Sequence, residues 1–342
     1  MKLLIATDDA FVPGRLNGSL RGLLALTAAL IEQGVEPALL CRDPSAVDTR
    51  MRRYEQGGVP IYVAADPAIA AAPLAVAGEA AAVLVIDGSD GRILSACQGV
   101  TPPIIAWVAR PFTARAPEPL AEGVALVAAS AQLAVAAQRW YGRPARVLPM
   151  PVMRLELSPI REQAVLLDPR PAGGIEILFE LAAARPRAIF VVAETEPVPA
   201  VWRAACFERA LRCGNIDWRT DPCDLAELFA RARLLVAPAL AADADPWAIR
   251  TAQTAGIPAL ASDRGVQAEA VGDAGIVVAV DAPTTTWLAA FDDLRRDGLV
   301  YARAVEAAAR RRNGTDIEEI AAAIGTTIRA AVAGEAPSSQ VA

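Results

Sequence analysis

Residues 233–275 read RLLVAPALAADADPWAIRTAQTAGIPALASDRGVQAEAVGDAG. A short apolar run at 234–237 stops at Pro238. A loop of small and acidic residues follows at 241–246, and 247–255 suits a helix that ends on Gly256, as helices commonly do. A second apolar run, 257–261, closes at Ser262-Asp263. Strand, loop, helix, strand is the order of one βαβ unit, which implies an α/β fold with a parallel sheet. In such units the loop at the strand's carboxyl end meets the head of the helix, where unpaired N–H groups and the helix dipole favour a phosphate.

Pro238, Gly256, Pro258, Ser262, Asp263, Glu269, Gly272, Asp273, Ala274 and Gly275 together form a pattern. It resembles the donor-site segment of retaining glycosyltransferases of family 4, which have the GT-B fold. In that family a strand ends in proline, two glutamates stand eight positions apart on the following loop and helix, and small-Gly-x-Pro-x-x-x-Ser-Asp and Glu-x-x-Gly-Asp-Ala-Gly come after. Counted back from Gly256, the two glutamate positions fall on Asp243 and Thr251, so one carboxylate is shortened and the other is absent.

Outward from this stretch, the chain of 342 residues is long enough for two domains, and its 54% apolar content is ample for two cores. Much of that content is alanine. No apolar run reaches the roughly 18 to 20 residues of a membrane-spanning helix, and the start at 3–6 runs straight into Asp8-Asp9, unlike a signal peptide. The expectation is a cytoplasmic protein, with peripheral contact to the inner membrane face left open. A net charge of −6 argues against a nucleic-acid partner. The sequence has no histidine, which excludes a Ser-His-Asp triad, a histidine metal site and imidazole general-base catalysis. The cysteines at 41, 97, 206, 213 and 223 lack C-x-x-C spacing, so no metal is expected and they read as buried thiols. Lys2 is the sole lysine; any cation that meets a phosphate must be arginine.

The amino-terminal half reads as a second α/β lobe. Residues 2–7 form an apolar strand, a loop carrying Gly14, Arg15, Asn17 and Gly18 follows, and SLRGLLALTAALIEQG from Ser19 has leucines three or four apart before Gly34. Strands are expected at 35–41, 61–64, 83–86, 104–108 and 125–128. An alanine-rich helix precedes Ala82, and a polar loop follows at 87–91. TPPIIAWVARPF and ALVAASAQLAVAAQRWYGRPARVLPMPV resemble the family's strand before a histidine and its Val-Ser strand, helix and proline exit. Ser130, Pro149 and Val152 fit; Ala109 stands at the histidine position, with Arg110 beside it. Residues 149–159 are proline-rich and read as a linker.

Beyond the linker, strand 164–167 runs into DPRPAGGIEILFEL. The family places an Arg-x4-Lys-Gly turn here to hold the donor's diphosphate. The lysine position is Gly173, and Arg170 is the nearby cation. Helix 175–184, strand 188–193, a variable segment containing Trp202 and Cys206, and strand 215–218 follow. NIDWRTDPCDLAELFARARLLVAP resembles the family's elements near the nucleotide base, with Arg219 at a common glycine position. Strand 276–280 and helices 284–296 and 316–332 complete the chain before a polar tail.

The resemblance implies two Rossmann-like lobes facing a cleft, with carboxy-terminal helices crossing back to the first lobe. The domains expected are 1–150 on the acceptor side, a linker at 151–160, a donor domain at 161–300, helices at 301–333 and a disordered tail at 334–342. It implies transfer of a sugar from a nucleotide-sugar, with retention and no bound metal or other cofactor. The acceptor, whether saccharide, lipid-linked saccharide or protein, is left open. Candidate donor contacts are Gly18, Arg170, Asp243, Ala244, Asp245, Trp247 and Thr251. Gly14, Arg15, Asn17 and Arg110 are candidates for phosphate or acceptor, and Trp218 and Arg219 for the base. Ordinary roles also account for these residues: Asp243 as an acid at a helix head, Trp247 as core packing, Arg170 as a solvated loop residue. Loss of the family's polar positions keeps a second expectation open, an inactive GT-B protein serving as a binding or partner subunit. A sugar-nucleotide epimerase is disfavoured, because its acid/base groups have no counterpart here.

Overall fold

The computed structural model describes residues 1–13, 18–86, 91–111, 119–152, 155, 161–195, 198–220, 225–242, 246–311 and 316–334. These residues form two compact units. One comprises Met1–Pro13, Ser19–Pro151 and Asp316–Ala342; the other comprises Gly14–Gly18 and Val152–Thr315.

The first unit is built on strands β1 (Lys2–Ala10), β2 (Glu36–Arg42), β3 (Arg52–Gln56), β4 (Val59–Ala64), β5 (Ala82–Ile86), β6 (Ile104–Val108), β7 (Ala125–Ala128) and β8 (Arg146–Val147). They lie in the order β3-β4-β2-β1-β5-β6-β7-β8, all parallel except the β3–β4 pair. The central strands are apolar runs because helices cover both faces of a parallel sheet. Helix α1 (Gly18–Glu32) turns Leu20, Leu23, Leu26 and Leu30 inward, each fully buried, at the three- and four-residue spacing of one helix face. Helices α2 (Pro67–Ala77), α3 (Arg92–Cys97) and α4 (Ala131–Tyr141) complete the layers. Ser130 caps α4 by accepting from the Leu133 N–H.

The second unit holds β9 (Gln163–Leu167), β10 (Ile189–Ala193), β11 (Ile216–Arg219), β12 (Ala232–Ala237), β13 (Ala259–Ser262) and β14 (Gly275–Val278), with α5 (Ile175–Ala184), α6 (Ala200–Cys213), α7 (Leu225–Ala230), α8 (Trp247–Thr254), α9 (Gln267–Val271), α10 (Thr284–Arg295) and α11 (Leu299–Arg311). The strand order is β11-β10-β9-β12-β13-β14, all parallel. Alternation along β10 divides the core in two. Phe190 and Val192 pack with α5 and α10 through Phe179, Trp287 and Phe291, whereas Val191 and Ala193 face α7 and α8 through Leu228, Phe229 and Ile249. Helix α12 (Ile317–Val332), capped by Asp316, belongs with the first unit, so the chain returns there as the resemblance implied. Its buried face is Ile320, Ala321, Ile324 and Ile328.

Two elements have no counterpart in the sequence reading. The segment around Trp202 and Cys206 is the helix α6, with Cys206 and Ala210 buried on one face. Before β4 stands an unexpected strand, β3, joined to it across Gly57-Gly58 as an antiparallel hairpin.

Candidate functional site

Strand order locates the site. In an open parallel sheet a crevice forms beyond the carboxyl ends of neighbouring strands whose connections leave in opposite directions. In the second sheet, connections from β9 run outward through β10 to β11, and those from β12 run the other way through β13 to β14. The switch lies between β9 and β12. The loops leaving these two strands are the two stretches the resemblance assigns to the donor.

These loops are joined through backbone. The chain leaves β9 at Asp168, makes a single 3₁₀ turn at Pro171–Gly173 and enters α5 through Gly174. Gly174 has φ +77, and a Cβ there would lie 2.0 Å from the Pro238 carbonyl oxygen, so both its backbone and its space require glycine. From the other loop, the Leu240 N–H donates to Ala172 O at 2.8 Å, and the buried Ser262 Oγ donates to Ala239 O at 2.6 Å. Gly174 is the N-cap of α5, and among the described residues no side-chain cap hydrogen bond is made there. A ten-residue helix thus presents its amino end at the switch point, the local arrangement that accepts an anion.

Side chains hold the flank of this edge. Glu194, just past β10 and buried, accepts from Arg203 Nε at 2.7 Å and Nη2 at 2.5 Å, and from the Trp218 indole at 3.0 Å. The Trp202 indole donates to Pro169 O at 2.7 Å, and Thr195 donates to Asp168 through its N–H and its hydroxyl. The first turn of α6 therefore braces the exits of β9 and β10.

The candidate residues fall out unevenly. Arg170 is exposed in the turn between β9 and α5. Trp218 and Arg219 lie at the carboxyl end of β11; Trp218 is committed to Glu194, and Arg219 Nε donates to Asp217 at 3.0 Å. Trp247 opens α8 half-buried, and Gly18 is buried at the head of α1. Thr251 is 2% exposed on the inner face of α8. Asp243, Ala244 and Asp245, and also Gly14, Arg15 and Asn17, lie outside the described residues.

In the first unit the switch lies between β1 and β5, and its carboxyl edge carries a buried charge. Asp9 accepts from Arg110 Nη2 at 2.7 Å, Ser19 Oγ at 2.8 Å and Thr7 Oγ1 at 3.2 Å. Arg110, the candidate beside the missing histidine, is thus held by a carboxylate that the sequence reading did not single out. Beside it Asp43 accepts from Ser45 and Arg52. Burial pushes the Asp43 carboxyl up, but the Ser45 hydrogen bonds and the Arg52 charge outweigh it and hold it below the usual carboxylate range.

Of the cysteines described, none is in a disulfide; burial pushes the Cys206 thiol up to about 11, with Glu176 adding to the effect. Among the described residues no group of side chains has the composition of a metal site, and no helix is long and apolar enough to cross a membrane.

No family model matches the chain, and no curated protein matches it. Solved structures do. HepE of Anabaena in complex with UDP-glucose aligns with a TM-score of 0.71 at 13% identity, covering 96% of this chain and 100% of that one. The chain has the GT-B fold. A glycosyltransferase from Rickettsia africae gives a TM-score of 0.68 at 11% identity, over 97% of this chain and 99% of its own. A glycosyltransferase involved in avilamycin A biosynthesis gives 0.62 at 19% identity, over 97% and 98%. These GT-B matches run nearly end to end, so both units, together with the helix that returns to the first, belong to the shared fold.

Proposed function

We propose that this chain is a glycosyltransferase that moves a sugar from a nucleotide-sugar donor to an acceptor, with retention and without a bound metal. The observation that carries the reading is the β9/β12 switch point, where the glycine-headed amino end of α5 and the loop after Pro238 are joined through backbone. The reading draws further support from the GT-B structure that holds UDP-glucose. In this reading the donor's diphosphate meets the head of α5, with Arg170 as its nearby cation. Fixed dipoles then stabilise the charge on the departing diphosphate as the glycosidic bond breaks, which needs no general base. As the resemblance implies, Asp243, Ala244, Asp245, Trp247 and Gly18 are the contacts to the sugar, and Trp218 and Arg219 those to the base. The acceptor class, saccharide, lipid-linked saccharide or protein, stays with the first unit, where Arg110 is the candidate contact.

The test is incubation with UDP-, GDP- and ADP-sugars, following release of nucleoside diphosphate and the anomeric configuration of the product by NMR. Release from one donor, with the α-configuration retained, supports the proposal; an inverted product removes retention. Arg170→Ala should weaken nucleoside diphosphate more than nucleoside, and equal losses would argue against a phosphate contact.

One observation favours the second reading, a binding or partner subunit without turnover. Thr251, at a glutamate position of the family, is packed in the core. Diphosphate binding without release from any sugar donor would select it.

A further inference from the structure

The turn leaving β9 contains a residue for which the donor reading has no use. Asp168 has φ +51, a left-handed backbone conformation that glycine adopts freely and other residues adopt only when their surroundings hold them there. Its own carboxylate supplies the hold. The Thr195 N–H donates to Oδ1 at 2.7 Å and the Thr195 hydroxyl to Oδ2 at 2.6 Å. The Asp168 N–H donates to Ala193 O at 2.8 Å, so the clamp prolongs the β9–β10 ladder by one step past the strand ends.

The path of the turn follows from this clamp. The Arg170 N–H donates to Asp168 O at 2.7 Å, Gly173 to Arg170 O at 3.0 Å and Gly174 to Pro171 O at 3.1 Å, after which α5 begins. Trp202 holds Pro169 O and Leu240 holds Ala172 O. These bonds act on the backbone between β9 and the head of α5.

We propose that Asp168 is a positioning residue for the donor's diphosphate. Clamped on Thr195, it fixes residues 168–174 and so the direction of the N–H groups at the head of α5. The assignment rests on the reading of this edge as the donor site. It requires no contact between the carboxylate and the ligand, because both oxygens serve Thr195.

Three variants test it: Asp168→Gly, which accepts the same φ without the clamp; Thr195→Val, which removes the hydroxyl in an isosteric side chain; and Asp168→Asn, which keeps an oxygen for the Thr195 N–H and tolerates the left-handed conformation. UDP, GDP, ADP and their nucleosides are titrated calorimetrically into the full chain and each variant, with folding checked by circular dichroism. Asp168→Gly is expected to weaken the preferred diphosphate about tenfold and the nucleoside less than about twofold, with Thr195→Val between and Asp168→Asn within about twofold of wild type. If wild type binds a diphosphate and the ratio of diphosphate to nucleoside affinity is the same in folded Asp168→Gly, the assignment is overturned alone. If wild type binds none of the three, the donor reading falls and the assignment with it.

Discussion

The two sheets share a parallel core with one switch point each but stiffen their carboxyl edges by different means. At the first edge, side chains do it: buried Asp9 gathers Thr7, Ser19 and Arg110, and Asp43 gathers Ser45 and Arg52. At the switch point of the second, the ties between the two loops end on backbone: Gly174 lies against Pro238 O, Leu240 N–H on Ala172 O and Ser262 Oγ on Ala239 O, with charged side chains on the flank. A side-chain network ties charge to one place. A scaffold of ties to backbone tolerates little bulk, as Gly174 against Pro238 O shows.

Adding charge to the backbone-held side should have the largest effect. Thr251→Glu introduces the residue type that the resembled family has at this position, but at a site 2% exposed it buries a carboxylate. The expected loss is about 3 kcal/mol in urea denaturation, with no gain in donor binding; a stable variant that binds donor more tightly would show that α8 turns this position toward the ligand. Gly174→Ala meets both the positive φ and the Pro238 carbonyl, and should cost about 2 kcal/mol. An unchanged melting curve would place the two loops apart. At the charge-held edge, Asp9→Ala removes the acceptor that Arg110, Ser19 and Thr7 share and should cost about 1 to 2 kcal/mol, while Asp9→Asn costs less because it still accepts from two of them. Equal losses from the two would mean that the charge is unimportant.

Acid should give the smallest effect. The Asp43 carboxyl is held below its ordinary value, so the stability it contributes is present above about pH 4 and is lost as pH falls through the lowered value. Asp273, beside Arg310 and Arg311, and Asp292, beside Arg185, behave alike in the second unit. Asp43→Asn should therefore flatten only part of the fall in melting temperature below about pH 4. A variant with the wild-type pH profile would remove Asp43 from the account.

The fold was largely legible because buried parallel strands are uninterrupted apolar runs; β5, β6, β7 and β12 stand out by eye in the sequence. β3 was not, because RRYEQ is a polar strand paired on one side only in an antiparallel hairpin, with no apolar period to read. α6 was hidden by its exposed Val201, Phe207 and Leu211, which blur the helical pattern. The site was legible as two stretches but not as a network. Asp9 finds Arg110 at a separation of 101 residues, and Asp168 finds Thr195 at 27, so no local spacing could join them. A carboxylate at each strand exit, in Thr7-Asp8-Asp9 and Leu167-Asp168-Pro169, was the available signal.

The structure also changes the weight of the intact family pattern. A Cβ on Gly275 would lie 1.9 Å from Ala259 O in the neighbouring strand, Asp273 pairs with Arg310 and Arg311, and Ser262 ties down the loop after β12. Close packing, a surface ion pair and a loop hydrogen bond account for these three residues. Their presence supports the fold and carries no information about turnover.

The most direct test of the central claim is a crystal structure of the chain with the nucleoside diphosphate it binds best among UDP, GDP and ADP. The account predicts diphosphate oxygens within about 3 Å of backbone N–H groups at the head of α5, between the loops after β9 and β12. A nucleotide seated away from that edge would contradict it.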